Sequence, residues 1–256
     1  MAPLHTEQLA DRLYTAYKTN RALEKDQIPS TLDLTAAYSI QHALTSRKTQ
    51  DGEPLKGYKI SLTSPETQKL FNSDKPLYGA LTAPALSDGM IELASMLSPL
   101  IEIELIFLVQ EDIHASDSLA DILRKTNVAP GIEVPDCRFT DWFPNITLGQ
   151  VVADSAVAGR IVIGEAIDDA SFDQLDAIHG ELFLNGESIA SGSSSEVLEH
   201  PLHAIKWLAE ELDSHDLTLQ KGMAVSSGTF ILPKKLEKGR YEVRYEGIGN
   251  VKLTVH

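Results

Sequence analysis

The first third of the chain carries apolar residues at the three- and four-residue spacing of amphipathic helices. One such stripe follows a candidate helix cap at Thr6, and a second runs over residues 35–47. A turn-rich segment, a short strand candidate over residues 55–61 and a short helix beginning at Pro65 come next. Proline is favoured at the first position of a helix, which supports that last start.

After Pro76 the pattern changes to short alternating runs separated by turn residues, which is typical of strands. Asn185-Gly186 lies between two such runs and predicts a hairpin, and a second hairpin is predicted around residues 246–250. Helices near residues 118–125 and from Pro201 interrupt this part. The sequence therefore predicts an α+β fold, with a mainly helical region over 1–75 and a β-rich body over 76–256.

The run Leu100–Val109 is apolar except for Glu102 and Glu104. In a strand, residues two apart point to the same face, so these two carboxylates are expected side by side. Ile106 and Leu108 continue that face, which indicates that its far end is covered. Two readings stay open on this pattern: a half-buried strand with glutamates facing water, or a pair of carboxylates that needs a cation or protons.

Composition limits the class of protein. The chain has 256 residues, an ordinary hydrophobic fraction of 43% and a net charge of −15, which argues against nucleic acid or an anionic membrane surface as partner. Cys137 is the only cysteine, so an intramolecular disulfide and a thiolate metal cluster are excluded. The N-terminus lacks the features of a signal peptide, and no apolar run approaches the ~20 residues that span a bilayer. We therefore expect a cytoplasmic protein.

Two further residues could join the paired glutamates. Glu133 lies in a short extended segment between Pro130 and Pro135, and three carboxylates around one ion suit Mg²⁺ or Mn²⁺ better than zinc. Lys59 lies in a short apolar strand, where it could move a proton or neutralise an anion. Taken singly, each residue fits an ordinary surface position better than a functional site.

Six segments together resemble one enzyme family, the hydratase and decarboxylase branch of the fumarylacetoacetate hydrolase superfamily. In chain order they are Gly57-Tyr-Lys-Ile-Ser-Leu-Thr63, Ile101-Glu-Ile-Glu104, Gly131-Ile-Glu133 with Asp136 and Arg138, Val152-Ala-Asp154, His200-Pro-Leu202 with Trp207-Leu-Ala209, and Glu246-Gly-Ile-Gly249. The match runs from about residue 55 to the C-terminus. No single segment is decisive, but six in the same order make a chance resemblance improbable.

The resemblance implies a mixed β-roll of the fumarylacetoacetate hydrolase type with a small helical N-terminal part. It implies that Glu102, Glu104 and Glu133 bind Mg²⁺ or Mn²⁺ and that Lys59 is the active-site lysine, with Asp154 at the substrate. Substrates of the family are small 2-oxo or 2-hydroxydienoate acids formed when aromatic compounds are broken down by meta-cleavage. Its members usually form homo-oligomers.

The Ser227-Gly228-Thr229 segment could bind a substrate carboxylate through hydroxyl and amide groups, or it could be a turn at a strand end. Leu77, Ser61, Ser155 and the Ser193–Ser195 loop depart from the family pattern. Ser193, Ser194 and Ser195 are expected to form a polar loop. His200 is expected to start a helix rather than act as a base.

The leading hypothesis is a metal-dependent lyase that adds water to a 2-hydroxy-2,4-dienoate, as 2-keto-4-pentenoate hydratases do. A 4-oxalocrotonate decarboxylase is the alternative, since both reactions can share one metal-held 2-oxo acid. An acylpyruvate hydrolase is a further enzymatic possibility. The altered Leu77 and the serine loop also leave room for a non-catalytic subunit that accompanies a hydratase.

Overall fold

The computed structural model describes residues 3–256 of the chain. Met1 and Ala2 lie outside the described residues, and they begin the N-terminal segment in which the sequence predicts no signal peptide. Seven α-helices occur in the described range: α1 Pro3–Thr19, α2 Leu34–Gln50, α3 Pro65–Leu70, α4 Leu119–Arg124, α5 Leu148–Ala153, α6 Phe172–Asp176 and α7 Pro201–Asp213. None of them is long and apolar enough to cross a membrane.

Thirteen strands accompany these helices in the described residues. They are β1 Leu55–Ser61, β2 Leu77–Thr82, β3 Leu86–Ser87, β4 Met90–Ile91, β5 Leu100–Val109, β6 Thr126–Val134, β7 Arg160–Ile163, β8 His179–Leu184, β9 Glu187–Ser193, β10 Ala224–Ser226, β11 Lys234–Lys235, β12 Gly239–Tyr245 and β13 Gly249–Val255. Both predicted hairpins are present, β8–β9 around Asn185-Gly186 and β12–β13 near the C-terminus.

The strands form two mixed sheets. The larger has the order β2-β1-β10-β5-β6-β7-β3, with β11 also paired to β5, and the smaller has the order β4-β13-β12-β8-β9. The smaller sheet packs on β6 and β7, where Tyr245 on β12 donates a hydrogen bond of 2.5 Å to the Gly131 carbonyl on β6. The predicted α+β class is confirmed.

Local sequence explains the helix starts near the site. Ser64 caps α3 by accepting from the Thr67 N–H, and Pro65 takes the first helical position as predicted. The predicted helix over residues 118–125 is α4, capped by Ser118. His200 caps α7, with its Nδ1 accepting from the Leu202 N–H at 3.1 Å.

The predicted division at residue 75 does not coincide with the larger sheet. Strand β1, which ends at Ser61, lies inside that sheet between β2 and β10. The helices α1 and α2 pack on each other ahead of β1, so the mainly helical part stops before residue 55. The strand that carries Lys59 belongs to the β body, because its backbone pairs on both sides.

Candidate metal and substrate site

The three predicted glutamates meet on one face of the larger sheet. Strands β5 and β6 are antiparallel, and their register sets Glu102 opposite Glu133 and Glu104 opposite Gly131. Residues directly opposite in such a pair share a face, so all three carboxylates project together. One oxygen from each lies within 4.8 Å of the others, a spacing that can hold one metal ion.

This face is covered rather than exposed to water. Every residue of β5 except Leu108 is buried, and Glu104 and Glu133 have no exposed surface. Ile106 is also fully buried and occupies the space beside Gly131, where an added Cβ would lie 2.4 Å from Ile106 Cγ1. The reading of this strand as one with glutamates facing water is therefore wrong, and the predicted cover at its far end is confirmed at Ile106.

The carboxylates are only partly satisfied by protein donors. Glu104 Oε2 accepts hydrogen bonds from Ser226 Oγ at 2.6 Å and from the Gly228 N–H at 2.9 Å. Glu104 Oε1 and both oxygens of Glu133 are buried without a hydrogen bond. Buried polar atoms are almost always hydrogen-bonded, so carboxylate oxygens that lie this close together without a hydrogen bond indicate a place for a cation.

Lys59 reaches the same cluster from β1. It is paired in register with Ser226 on β10 and with Gly79 on β2, and it is 1% exposed. Its Nζ lies 3.1 Å from Glu133 Oε1, an ion pair without the geometry of a hydrogen bond. Burial lowers the pKa of the Lys59 amine, but Glu133, Glu102 and Glu104 outweigh it and hold the pKa above its ordinary value. Lys59 is therefore charged in this setting.

Burial and mutual repulsion act in the opposite sense on the acids. Loss of hydration, followed by the negative charge of Glu133, raises the pKa of Glu102 to about 8, although Lys59 opposes the shift. Burial and the two neighbouring carboxylates raise the pKa of Glu104 well above its ordinary value. The cluster carries more negative charge than one lysine balances, which favours either protons or a divalent cation.

A cavity opens at these groups. Lys59, Glu102 and Glu104 line it together with Thr229, Thr67 and Ser61. The rest of its surface is formed mainly by apolar side chains: Ile60, Leu62, Leu70, Phe71, Pro135, Trp142, Phe143, Val151, Val157 and Pro233. The arrangement can hold a small acid beside a metal ion, with a mostly apolar surround.

The Ser227-Gly228-Thr229 segment follows β10 directly. Gly228 has φ of +120°, and an added Cβ would lie 2.3 Å from Thr63 Oγ1, so glycine lets the N–H approach Glu104. Thr229 lines the cavity, with its hydroxyl donating to the Ile231 carbonyl. Ser227 Oγ is buried without a partner. Of these three residues, only Thr229 faces the cavity.

Asp154 lies apart from the cavity lining. Its carboxylate accepts from the Arg138 backbone N–H at 2.9 Å and is paired with the Arg138 guanidinium, and both residues are buried. This ion pair ties the segment after β6, which carries Arg138, to the end of α5, which Asp154 follows. Asp154 does not line the cavity, and its carboxylate is bound by Arg138, so a contact with substrate stays a prediction.

Some contributors were not singled out from the sequence. Ser226 donates to Glu104, but no signal separated it from the two hydroxyl residues that follow. Trp142 and Phe143 line the cavity from the loop before α5, which showed no periodicity. Cys137 is fully buried, and burial raises the pKa of its thiol well above the ordinary value. Ser194 is buried, and its hydroxyl donates to the Leu175 carbonyl at 2.7 Å.

Known proteins resemble this chain over nearly its whole length. It is 33% identical to a 2-keto-4-pentenoate hydratase of Burkholderia vietnamiensis, with 96% of this chain and 95% of the relative aligned. It is 31% identical to a 2-oxo-hept-4-ene-1,7-dioate hydratase of Escherichia coli, with 96% and 97% aligned. No family model matches the sequence.

Solved structures show the same fold. The 4-oxalocrotonate decarboxylase of Pseudomonas putida G7, in complex with magnesium and adipate, superposes with a TM-score of 0.90. That alignment covers 100% of this chain and 99% of the decarboxylase at 24% identity. The mixed β-roll expected from the motifs is confirmed by this likeness.

Proposed function

This chain belongs to the hydratase and decarboxylase branch of the fumarylacetoacetate hydrolase superfamily, and from that membership we propose a metal-dependent lyase that adds water to a 2-hydroxy-2,4-dienoate. The observation that carries the proposal is the buried cluster of Glu102, Glu104 and Glu133 with Lys59 beside a largely apolar cavity. Hydratases at about 30% identity over most of the chain support the reaction class.

The donor set fits a hard divalent cation. Three carboxylates supply oxygen ligands only, and Glu104 Oε1 and Glu133 Oε2 accept no hydrogen bond and are available to an ion. Oxygen ligands suit Mg²⁺ or Mn²⁺, whereas zinc sites normally include histidine or cysteine. We propose that these glutamates hold Mg²⁺ or Mn²⁺; the magnesium complex of the decarboxylase from Pseudomonas putida G7 is consistent with a divalent ion.

The bound ion would act as a Lewis acid on the carboxylate and 2-oxo oxygens of the substrate. Lys59, held charged by the glutamates, is proposed to move a proton as the dienol becomes the 2-oxo-3-enoate, with the enol proton lost and a proton gained at C5. Water then adds its oxygen to C4 while C3 gains a proton. The apolar cavity walls exclude bulk water from these steps.

The product distinguishes the two lyase reactions. We expect protein reloaded with Mg²⁺ to convert 2-hydroxypenta-2,4-dienoate into a product heavier by one water, as read by mass spectrometry. Release of CO₂ from 4-oxalocrotonate without hydration of the dienoate would assign a decarboxylase, and cleavage of an acylpyruvate would assign a hydrolase.

Lys59→Met is expected to lower kcat/KM by at least about 100-fold, because proton transfer by a positioned group contributes about that much. Lys56→Met is the matched control, since Lys56 lies exposed on the same strand and does not line the cavity. Equal activity of the two variants would contradict the role proposed for Lys59.

Family membership also supports a homo-oligomer as the working state, and we retain the cytoplasm as its proposed location. Light scattering coupled to size-exclusion chromatography tests the oligomeric state, and cell fractionation tests the location.

The non-catalytic alternative predicts a stable complex with a hydratase and no turnover by the isolated chain, so turnover by the pure protein excludes it.

A further inference from the structure

The cavity has an aromatic wall, here defined as Leu70, Phe71, Trp142, Phe143 and Pro233. The Phe71 and Phe143 rings lie 6.3 Å apart, and the Trp142 and Phe143 rings 5.1 Å apart, so the aromatic residues form one continuous surface. They come from the C-terminal end of α3 and from the loop before α5, whereas the carboxylates and Lys59 come from strands β1, β5 and β6. One part of the cavity is thus charged and the other apolar.

The polar groups beside this wall are already paired. The Trp142 indole N–H donates to the Ser98 carbonyl at 3.0 Å, and the Thr67 hydroxyl donates to the Ser64 carbonyl at 3.0 Å. The Thr229 hydroxyl donates to the Ile231 carbonyl at 2.9 Å. Ser61, the other hydroxyl residue in the lining, lies on β1 two residues from Lys59, so few free donors remain for a polar group on the far end of a substrate.

Positive charge is equally scarce there. Within residues 3–256, Lys59 is the only basic side chain among those lining the cavity, and it is paired with Glu133. A substrate needs this end of the cavity for its 2-oxo carboxylate. A second carboxylate at the other end of the same molecule would lie against apolar side chains without meeting a cation, which is unfavourable.

We propose that this site selects 2-oxo acids whose far end is uncharged and apolar, and that it rejects dicarboxylic acids of the same chain length. The inference rests on the proposed function, since it assumes that a 2-oxo acid enters this cavity. It matters because the relatives named above include a hydratase of a diacid, so sequence similarity leaves the two substrate types open. It also separates hydration of a monoacid from decarboxylation of 4-oxalocrotonate, which is a diacid.

One basic residue outside the cavity, Lys234, could in principle bind the second carboxylate of a diacid. Lys234 lines a neighbouring cleft that shares Thr67 and Thr229 with the cavity. Glu66 and Glu196 line the same cleft, so its charge does not favour an anion. Lys234 is exposed on β11, where water screens its charge.

The direct test compares two unreactive ligands that differ only at the far end, 2-oxohexanoate and 2-oxohexanedioate. Calorimetry on the protein with saturating Mg²⁺ gives both dissociation constants. We expect the monoacid to bind at least about 30-fold more tightly, the size expected for an unpaired buried polar group. Equal or tighter binding of the diacid, or no binding of either acid, would overturn the proposal. The hydratase activity is judged separately, from turnover of the dienoate.

A variant with an added positive charge in the wall provides a second test, which measures a change in the ratio of the two dissociation constants rather than its wild-type value. Leu70→Lys places an amine at the wall, and Leu86→Lys is the matched control, because both leucines are 39% exposed and Leu86 does not line the cavity. We expect Leu70→Lys to shift the ratio toward the diacid by about tenfold and Leu86→Lys to leave it unchanged. Loss of diacid binding in Lys234→Met alone would instead place that carboxylate in the neighbouring cleft and contradict the proposal.

Discussion

At the scale of single residues, Glu104 is the most constrained member of the cluster. One of its oxygens is held by Ser226 and Gly228, so its side chain is oriented before any ion arrives. Its other oxygen has no protein partner. A carboxylate fixed by one oxygen and free at the other is suited to act as a metal ligand, because outer hydrogen bonds orient such ligands.

Glu104→Gln is expected to lower the rate of metal-dependent turnover more than about 100-fold while the protein stays folded. The amide keeps the shape of the side chain but loses the negative charge. Steady-state kinetics with Mg²⁺ and thermal unfolding by circular dichroism measure the two effects. Glu111→Gln is the control, since Glu111 is exposed just beyond the same strand and pairs with Arg124 at the surface. Full activity of Glu104→Gln would contradict its role as a ligand.

The raised pKa of Glu102, about 8, predicts how stability depends on pH. Between its ordinary value near 4.5 and about 8, the folded metal-free protein binds more protons at this site than the unfolded chain does. The free energy of unfolding therefore falls as pH rises through that window. Urea unfolding at several pH values measures it, and Glu102→Gln should flatten this part of the profile. A profile of the same slope in the variant would argue against Glu102 as the source.

At the scale of elements, the site depends on how closely neighbouring backbones approach. Gly79 on β2 lies opposite Lys59, and an added Cβ there would lie 1.8 Å from the Ser155 carbonyl oxygen. That atom belongs to the backbone and cannot rotate away. The strand beside Lys59 is therefore set by contact with the turn that follows α5.

Gly79→Ala is expected to destabilise the fold by about 1–3 kcal/mol, the usual cost of overpacking. Because β2 would have to move relative to β1, we also expect kcat to fall. Denaturant unfolding measures the first effect and kinetics at saturating Mg²⁺ the second. An alanine variant with wild-type stability would show that the turn after α5 can move to make room for the added methyl group, which contradicts the constraint proposed here.

Sequence patterns could predict part of this arrangement and not the rest. Alternation along β5 was enough to place Glu102 and Glu104 side by side, because that geometry is local. The position of Glu133 depends on the β5–β6 register, and the position of Lys59 depends on β10 entering between β1 and β5. Pairings between distant segments leave no local pattern, so local sequence marks Glu133 and Lys59 only as candidates, and the family resemblance is what joins them to the pair. For Asp154 the resemblance implies a substrate contact, whereas the structure shows its carboxylate bound by Arg138 outside the cavity lining.

At the scale of the whole molecule, the chain carries a net charge of −15 and buries three of its acids at one point. Like charges that are buried together weaken the folded state unless something neutralises them. A bound divalent ion would stabilise the fold by mass action, because the unfolded chain does not hold the three carboxylates together. The thermal midpoint should therefore rise with Mg²⁺ concentration, and the rise should be smaller in Glu104→Gln.

The most direct test of the account is the rate of 2-hydroxypenta-2,4-dienoate hydration as a function of Mg²⁺, measured on protein first stripped with a chelator. The three buried glutamates predict no hydration above the uncatalysed rate without a divalent ion, and saturable recovery when Mg²⁺ or Mn²⁺ is returned. Undiminished hydration in excess chelator would contradict it.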